Sequence, residues 1–232
     1  MSIRRREDHS KLTFFKRTIA AQTHGLTALV ALAGLLVLAP VAYRSGALHF
    51  WGTVIFGVTA VLVFAVSSTY HFLHDGYEIT PALTRRLEML DQFSIYLFIA
   101  GTYTPFLINV IASPWREILM VCVWLMALFG IFYTAFRHKL PLWAQTRVVY
   151  TGVFVLMGWT LIVRVGEIYA KLPSVALAFF VAGSLAYSVG AVVYATKRPK
   201  LFEGLFGFHE LWHVFVTLGF VCHYAMIGYF YF

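Results

Sequence analysis

Seven long runs of apolar residues follow one another along the chain, separated by short polar stretches. Each run is long enough to cross about 30 Å of hydrocarbon as a helix that rises about 1.5 Å per residue. Inside hydrocarbon every backbone N–H and C=O must be paired within its own segment, and a helix does this. The pattern therefore predicts an all-α integral membrane protein, a seven-transmembrane helix bundle, with approximate limits of 19–43, 50–73, 89–111, 116–136, 147–168, 174–195 and 208–231.

The composition excludes a single water-soluble core. Of the 232 residues 60% are hydrophobic and only 12% are charged, whereas soluble domains have about 25% charged residues. We therefore expect two parts, a basic cytoplasmic tail at 1–18 and a transmembrane domain at 19–232. Cys122 and Cys222 both lie within apolar runs and are interpreted as reduced packing residues.

The distribution of basic residues predicts the orientation. Most of the 18 Lys and Arg residues lie in the tail or in connections on the same side of the membrane as the tail. The positive-inside rule then places the N-terminus in the cytoplasm and the C-terminus outside. The net charge of +8 is thus interpreted as a topology signal and not as a sign of nucleic-acid binding. We expect a multi-pass protein of the cell (inner) membrane, whose partner is the lipid bilayer.

The last apolar run opens with the sequence His-Glu-Leu-Trp-His. His209 and His213 are four residues apart, so on a helix they project from the same face and can close on one metal ion. This spacing on a helix recurs in zinc sites. In soluble zinc proteases the intervening Glu is the general base; here the direction of Glu210 depends on how the helix packs.

Three separate spans bring polar residues to one depth near the cytoplasmic face. His71 ends the second span, Asp91 begins the third, and His209 and His213 begin the seventh, with Ser67 one helical turn deeper than His71. Three imidazoles and one carboxylate are suitable ligands for Zn²⁺, and three ligands with one open position are typical of a catalytic site. The alternative is a hydrogen-bonded polar cluster that only holds three helices together.

Two further histidines need separate explanations. His223 follows His213 by ten residues, about 15 Å along the same helix, so it cannot share the metal site. We interpret it as a buried, hydrogen-bonded residue. His24, near the start of the first span, has a suitable depth and is interpreted as a supporting donor or packing residue and not as a ligand.

Four segments together resemble the bacterial hemolysin III proteins. These proteins belong with the progestin and adipoQ receptor family and are more distantly similar to the alkaline ceramidases. The similar segments are residues 67–71, 85–91, 99–105 and 209–213, with His223 beyond. The resemblance covers essentially the whole chain after residue 18. One departure is visible, because the relatives usually carry acidic and Asn residues before the His-Gly of the first span, whereas residues 20–25 of this chain are Ala-Ala-Gln-Thr-His-Gly.

The resemblance implies a seven-helix bundle with a zinc ion near its cytoplasmic face. His71, His209 and His213 would be the ligands, and Asp91, with Ser67 near it, would hold the water on zinc.

Four functions are compatible with these residues. The first is a zinc-dependent hydrolase of a ceramide-like lipid amide, in which Asp91 moves protons and a membrane lipid or fatty acid enters sideways from the bilayer. The second is a non-enzymatic membrane sensor or regulator with structural zinc. The third is cytolysis by pore formation, and the fourth is an intramembrane metalloprotease with Glu210 as its base.

Overall fold

The structure is a computed structural model that describes residues 4–5, 18–199, 201–202 and 206–232. Among these residues, seven helical spans are long and apolar enough to cross a membrane, which confirms the predicted seven-span fold. The α-helices are Ile19–Arg44, Ala47–Gly76, Pro81–Val110, Trp115–Phe136, Arg147–Gly158, Val165–Lys171, Ser174–Thr196 and Phe208–Gly228. The 3₁₀ helices are Arg137–Lys139, Leu142–Gln145 and Thr160–Arg164.

A short antiparallel pairing joins the tail to a connection between spans. Strand β1 (Arg4–Arg5) pairs with strand β2 (Tyr77–Glu78), which lies between the second and third spans. The rest of the predicted tail, apart from residue 18, lies outside the described residues.

Two helices continue past the ends of their apolar runs. The second continues to Gly76, and the third begins at Pro81 rather than at the predicted residue 89. The Thr80 side chain accepts a hydrogen bond from the N–H of Leu83 at 3.3 Å, and proline fits the first helical position because no N–H is needed there. Local capping, and not hydropathy, therefore sets the start of the third helix.

Close packing of the second and third spans forms the centre of the bundle. The rings of Phe56, Phe64, Phe98 and Phe220 contact one another with centroids 5.3–6.4 Å apart. Gly101 faces Thr59 so closely that an added methyl group would collide with it, as is common where membrane helices touch. The first span packs against both the second and the seventh spans, so the histidines near the ends of these three spans are brought together.

The fifth span differs from the unbroken helix predicted over 147–168. Its first helix ends at Gly158, and a 3₁₀ segment from Thr160 to Arg164 precedes the second helix. The Tyr103 hydroxyl lies 2.9 Å from the carbonyl oxygen of Met157 and 2.7 Å from that of Gly158. A break inside hydrocarbon is tolerated when a neighbour satisfies the freed backbone groups, and Tyr103 of the third span does so here.

Candidate metal centre

Three imidazoles from two spans converge at one end of the bundle. The ligand atoms of His71, His209 and His213 all lie within 4.8 Å of one another, and the Nε2 atoms of His71 and His209 are 3.0 Å apart. His71 and His213 are buried, whereas His209 is partly exposed. Two nitrogens bound to one tetrahedral zinc ion at about 2.0 Å would be separated by about 3.3 Å. The arrangement therefore fits a shared metal ion.

Hydrogen bonds to the other ring nitrogen orient two of the three imidazoles. Nδ1 of His71 lies 3.1 Å from Oδ2 of Asp75, and Nδ1 of His213 lies 3.2 Å from the carbonyl oxygen of Ala20. A carboxylate or carbonyl oxygen only accepts, so each Nδ1 carries the proton and each Nε2 keeps its lone pair. Such a set of neutral imidazoles suits several divalent transition metals, zinc among them.

Asp75 was not identified from the sequence. Asp75 contacts two histidines of its own helix, the second span. Besides its contact with His71, its other oxygen, Oδ1, lies 2.7 Å from Nδ1 of His74. The signal was the spacing of four residues from His71 to Asp75, which places them on one helical face. Since the second span was predicted to end at residue 73, Asp75 fell beyond it.

Asp91 and Ser67 lie beside the triad and not within it. Both line the same cavity as the triad, and the Asp91 carboxylate lies near the Ser67 hydroxyl and His71. In the described residues, the group of ligand atoms within 4.8 Å of one another holds only the three imidazoles. A carboxylate in this position can contact a small molecule placed next to a bound ion.

Glu210 has a local structural use. Its Oε2 accepts a hydrogen bond from the backbone N–H of Gly207 at 2.8 Å, which satisfies a free donor at the start of the seventh helix. His24 lies on the other side of the triad. Its ring stacks on that of His213 with centroids 3.6 Å apart and an interplanar angle of 7°, so it packs against a candidate ligand.

The prediction that His223 is hydrogen-bonded is wrong. The residue is buried, with 8% exposure, but neither ring nitrogen has a hydrogen-bond partner in the part of the chain that the structure describes. The ring stacks on Phe180 and meets Tyr187 edge-on. The sixth span places aromatic rings and Gly183 next to the His223 ring. None of these groups forms a hydrogen bond with the nitrogens of the imidazole.

A cavity of about 1110 Å³ extends from the triad along the third, fifth, sixth and seventh spans. Its wall away from the triad is mainly apolar and includes Phe98, Phe154 and Phe180. Near His209 it includes Arg147, whose guanidinium lies over the Tyr194 ring at 4.5 Å. The volume is large enough for a drug-sized or lipid-sized ligand, so the candidate metal centre opens into a space that an acyl chain can fill.

Comparisons with known proteins agree over nearly the whole chain. A sequence profile described as Haemolysin-III related matches residues 12–224. The chain is 32% identical to Hemolysin-3 of Bacillus cereus over 208 residues, 89% of this chain and 88% of that protein. It is 34% identical to a Hemolysin-3 homolog of Bacillus subtilis over 203 residues, 86% of each chain. It is also 27% identical to the human Monocyte to macrophage differentiation factor over 176 residues, 75% of this chain and 67% of that protein.

Proposed function

This chain belongs to the haemolysin-III related family, and from that premise we propose that it is a zinc-dependent hydrolase of a ceramide-like lipid amide. The observation that carries the proposal is the position of the triad, with its convergent nitrogens at the end of a long apolar cavity. The excess of Lys and Arg on the side of the tail supports a cytoplasmic N-terminus. The site would then lie near the inner face of the cell membrane.

His71, His209 and His213 would hold the zinc ion. Three protein ligands leave a coordination position for a small molecule, as in catalytic zinc sites. When bound, zinc polarises a carbonyl group and makes water more acidic.

The neighbouring side chains provide the proton transfers. The Asp91 carboxylate would position the attacking water, accept its proton and deliver it to the leaving nitrogen, so that amide and water give a fatty acid and an amine. The Ser67 hydroxyl would fix the carboxylate. Arg147 is the one Lys or Arg on the cavity wall among the described residues, and its positive charge would stabilise the carboxylate that is released.

Side chains of the fifth and sixth spans support entry of the lipid from the bilayer. Trp159, Ile162, Val181 and Leu185 line the cavity, and all four side chains are exposed. An accessible, apolar cavity wall is suited to a substrate that is dissolved in hydrocarbon. We therefore propose that the acyl chain passes between these two spans.

A non-enzymatic regulator with structural zinc is the second candidate. It is favoured by the way the triad joins the second and seventh spans while His24 of the first stacks on His213. In this case the ion would hold helix ends together, and its removal would lower the melting temperature. Catalytic turnover would be absent both with and without the ion.

The deciding experiment measures metal content and fatty acid release on the same purified protein in lipid nanodiscs, with a ceramide as the substrate. We expect one zinc per chain in the parent, in Asp91→Asn and in Glu117→Gln. Glu117 is exposed beside Arg116 at the other end of the bundle, so its variant is a matched loss of one carboxylate. Fatty acid release should fall about 10²- to 10⁴-fold in Asp91→Asn only.

Each of the other outcomes has a separate meaning. Parent protein that binds zinc, loses thermal stability on chelation and releases no fatty acid would support the regulator. Full activity in Asp91→Asn would contradict the proposed role of this carboxylate. Dye leakage from liposomes, compared between the parent and His71→Ala, would test the cytolytic activity that the names of the Bacillus relatives indicate.

A further inference from the structure

Two polar groups without partners line the cavity far from the triad. They are the imidazole of His223 and the hydroxyl of Tyr187, which we call the distal polar pair. Neither ring nitrogen nor the hydroxyl has a hydrogen-bond partner among the residues that the structure describes. No backbone group of the described residues, that of Phe180 included, meets the distance and angle of a hydrogen bond to the His223 ring. Buried polar groups are normally paired, so two unpaired groups on one cavity wall need an explanation.

Other polar groups near the same wall are satisfied by the protein. The Tyr103 hydroxyl is bonded to the carbonyl groups of the fifth-span break, and the Trp159 indole N–H donates to the Ser188 hydroxyl at 3.1 Å. His24 and Arg147 also line the cavity and have unpaired nitrogens, but they lie at the triad end. Leaving the distal polar pair unpaired costs stability unless a ligand completes it.

The two side chains of the pair are close together and come from adjacent spans. The ring centroids of His223 and Tyr187 are 5.4 Å apart. Gly183, one turn before Tyr187, makes room for the imidazole, because a Cβ there would lie 2.5 Å from Cδ2 and 2.7 Å from Nε2 of His223. The position of the ring thus depends on a residue without a side chain.

The distance from the triad determines what the pair can contact. His223 follows His213 by ten residues on one helix, which is about 15 Å. An extended hydrocarbon chain covers this distance in roughly a dozen C–C bonds, because the tetrahedral zigzag makes each bond of about 1.5 Å advance the chain by less than its length. A ligand with its reactive end at the triad therefore brings the middle of a long acyl chain, and not its end, to the distal polar pair.

We propose that the distal polar pair binds an oxygen substituent, a hydroxyl or keto group, near the middle of the acyl chain. This inference rests on the proposed function, because the triad is taken to hold the carboxyl end of the lipid. A hydroxyl group can donate to an imidazole nitrogen and accept from the Tyr187 hydroxyl, so it would satisfy both groups at once. The substrate class is then an acyl lipid that is oxygenated in the middle of its chain.

The test compares three fatty acids that differ only in one hydroxyl group. Stearate, 2-hydroxystearate and 12-hydroxystearate would compete with a fluorescent fatty acid for the parent protein in nanodiscs. We expect 12-hydroxystearate to bind about tenfold more tightly than stearate, the gain from one buried hydrogen-bonding group. The 2-hydroxy acid should not show this preference over stearate, since its hydroxyl group lies at the triad end.

Variants then assign the preference to the pair. Tyr187→Phe removes only the hydroxyl, and His223→Phe keeps an aromatic ring of similar shape; both should bring the ratio of the two affinities close to one. Gly183→Ala should lower the ratio by displacing the imidazole. Tyr169→Phe removes an exposed hydroxyl and is the matched control, in which the tenfold ratio is retained. If His223→Phe does not fold, Tyr187→Phe still decides.

Equal binding of stearate and 12-hydroxystearate to the parent would overturn the inference, as would no binding of either acid. A preference that survives both Tyr187→Phe and His223→Phe would overturn it as well. Because zinc content and amide hydrolysis are measured separately, each of these results can occur while the proposed function holds.

Discussion

Two polar clusters at opposite ends of the bundle differ in how they are completed. At the end away from the triad, one oxygen of Glu167 accepts from Lys171 and from the N–H of Ala112, both at 2.8 Å. Its other oxygen accepts from Arg164 at 3.0 and 2.7 Å. In the triad, by contrast, the protein uses the Nδ1 atoms of His71 and His213, while the Nε2 atoms of His71 and His209 face each other. The first cluster is complete with protein atoms alone, whereas the second converges on a point where an ion fits.

Removing one imidazole should have the largest effect and would break this comparison most directly. In His209→Ala we expect the zinc content of the purified protein to fall from one per chain to nearly zero, because two remaining imidazoles are fewer ligands than zinc sites use. Its melting temperature should equal that of the chelated parent. Elemental analysis and a thermal shift assay measure both, and a variant with full zinc content would contradict the metal centre.

A smaller effect is expected when only the orientation of a ligand is disturbed. Asp75→Asn keeps the size of the side chain but weakens its hold on Nδ1 of His71. The affinity for zinc should fall about 10- to 100-fold, measured by competition with a chelator. Glu78→Gln makes the same change of charge at an exposed position just beyond this helix. Equal affinities in the two variants would show that Asp75 has no orienting role.

The smallest effect is expected at the cluster that is already complete. Glu167→Gln should retain the zinc content of the parent and lower the melting temperature by only a few degrees, since ion pairs near a surface contribute little. High salt should reduce the difference between parent and variant. Loss of zinc in this variant would mean that the two ends of the bundle are coupled, and the contrast between them would fail.

The part of the fold that lies in hydrocarbon could be predicted from the sequence, because hydropathy reports it directly. The ends of the helices could not, since the second and third helices continue past residues 73 and 89 into polar sequence. That error concealed Asp75. Spacing and depth alone placed His71, His209 and His213 in one layer together with Asp91, and only the family resemblance separated the three imidazoles from the carboxylate. The unpaired state of His223 could not, because it depends on which faces the sixth span presents.

The break in the fifth span separates two pieces of helix that would otherwise turn together. In a continuous helix, one inserted residue rotates everything beyond it by about 100°. Here the segment from Trp159 to Arg164 breaks the helix, so a rotation of one piece is not passed on to the other. Tyr103 holds the carbonyl groups of Met157 and Gly158 at the break. Insertions or deletions in Val165–Lys171 can therefore alter the far wall of the cavity while Arg147 keeps its orientation. Under the proposed function, the preference for acyl-chain length would then be adjustable independently of the reactive end.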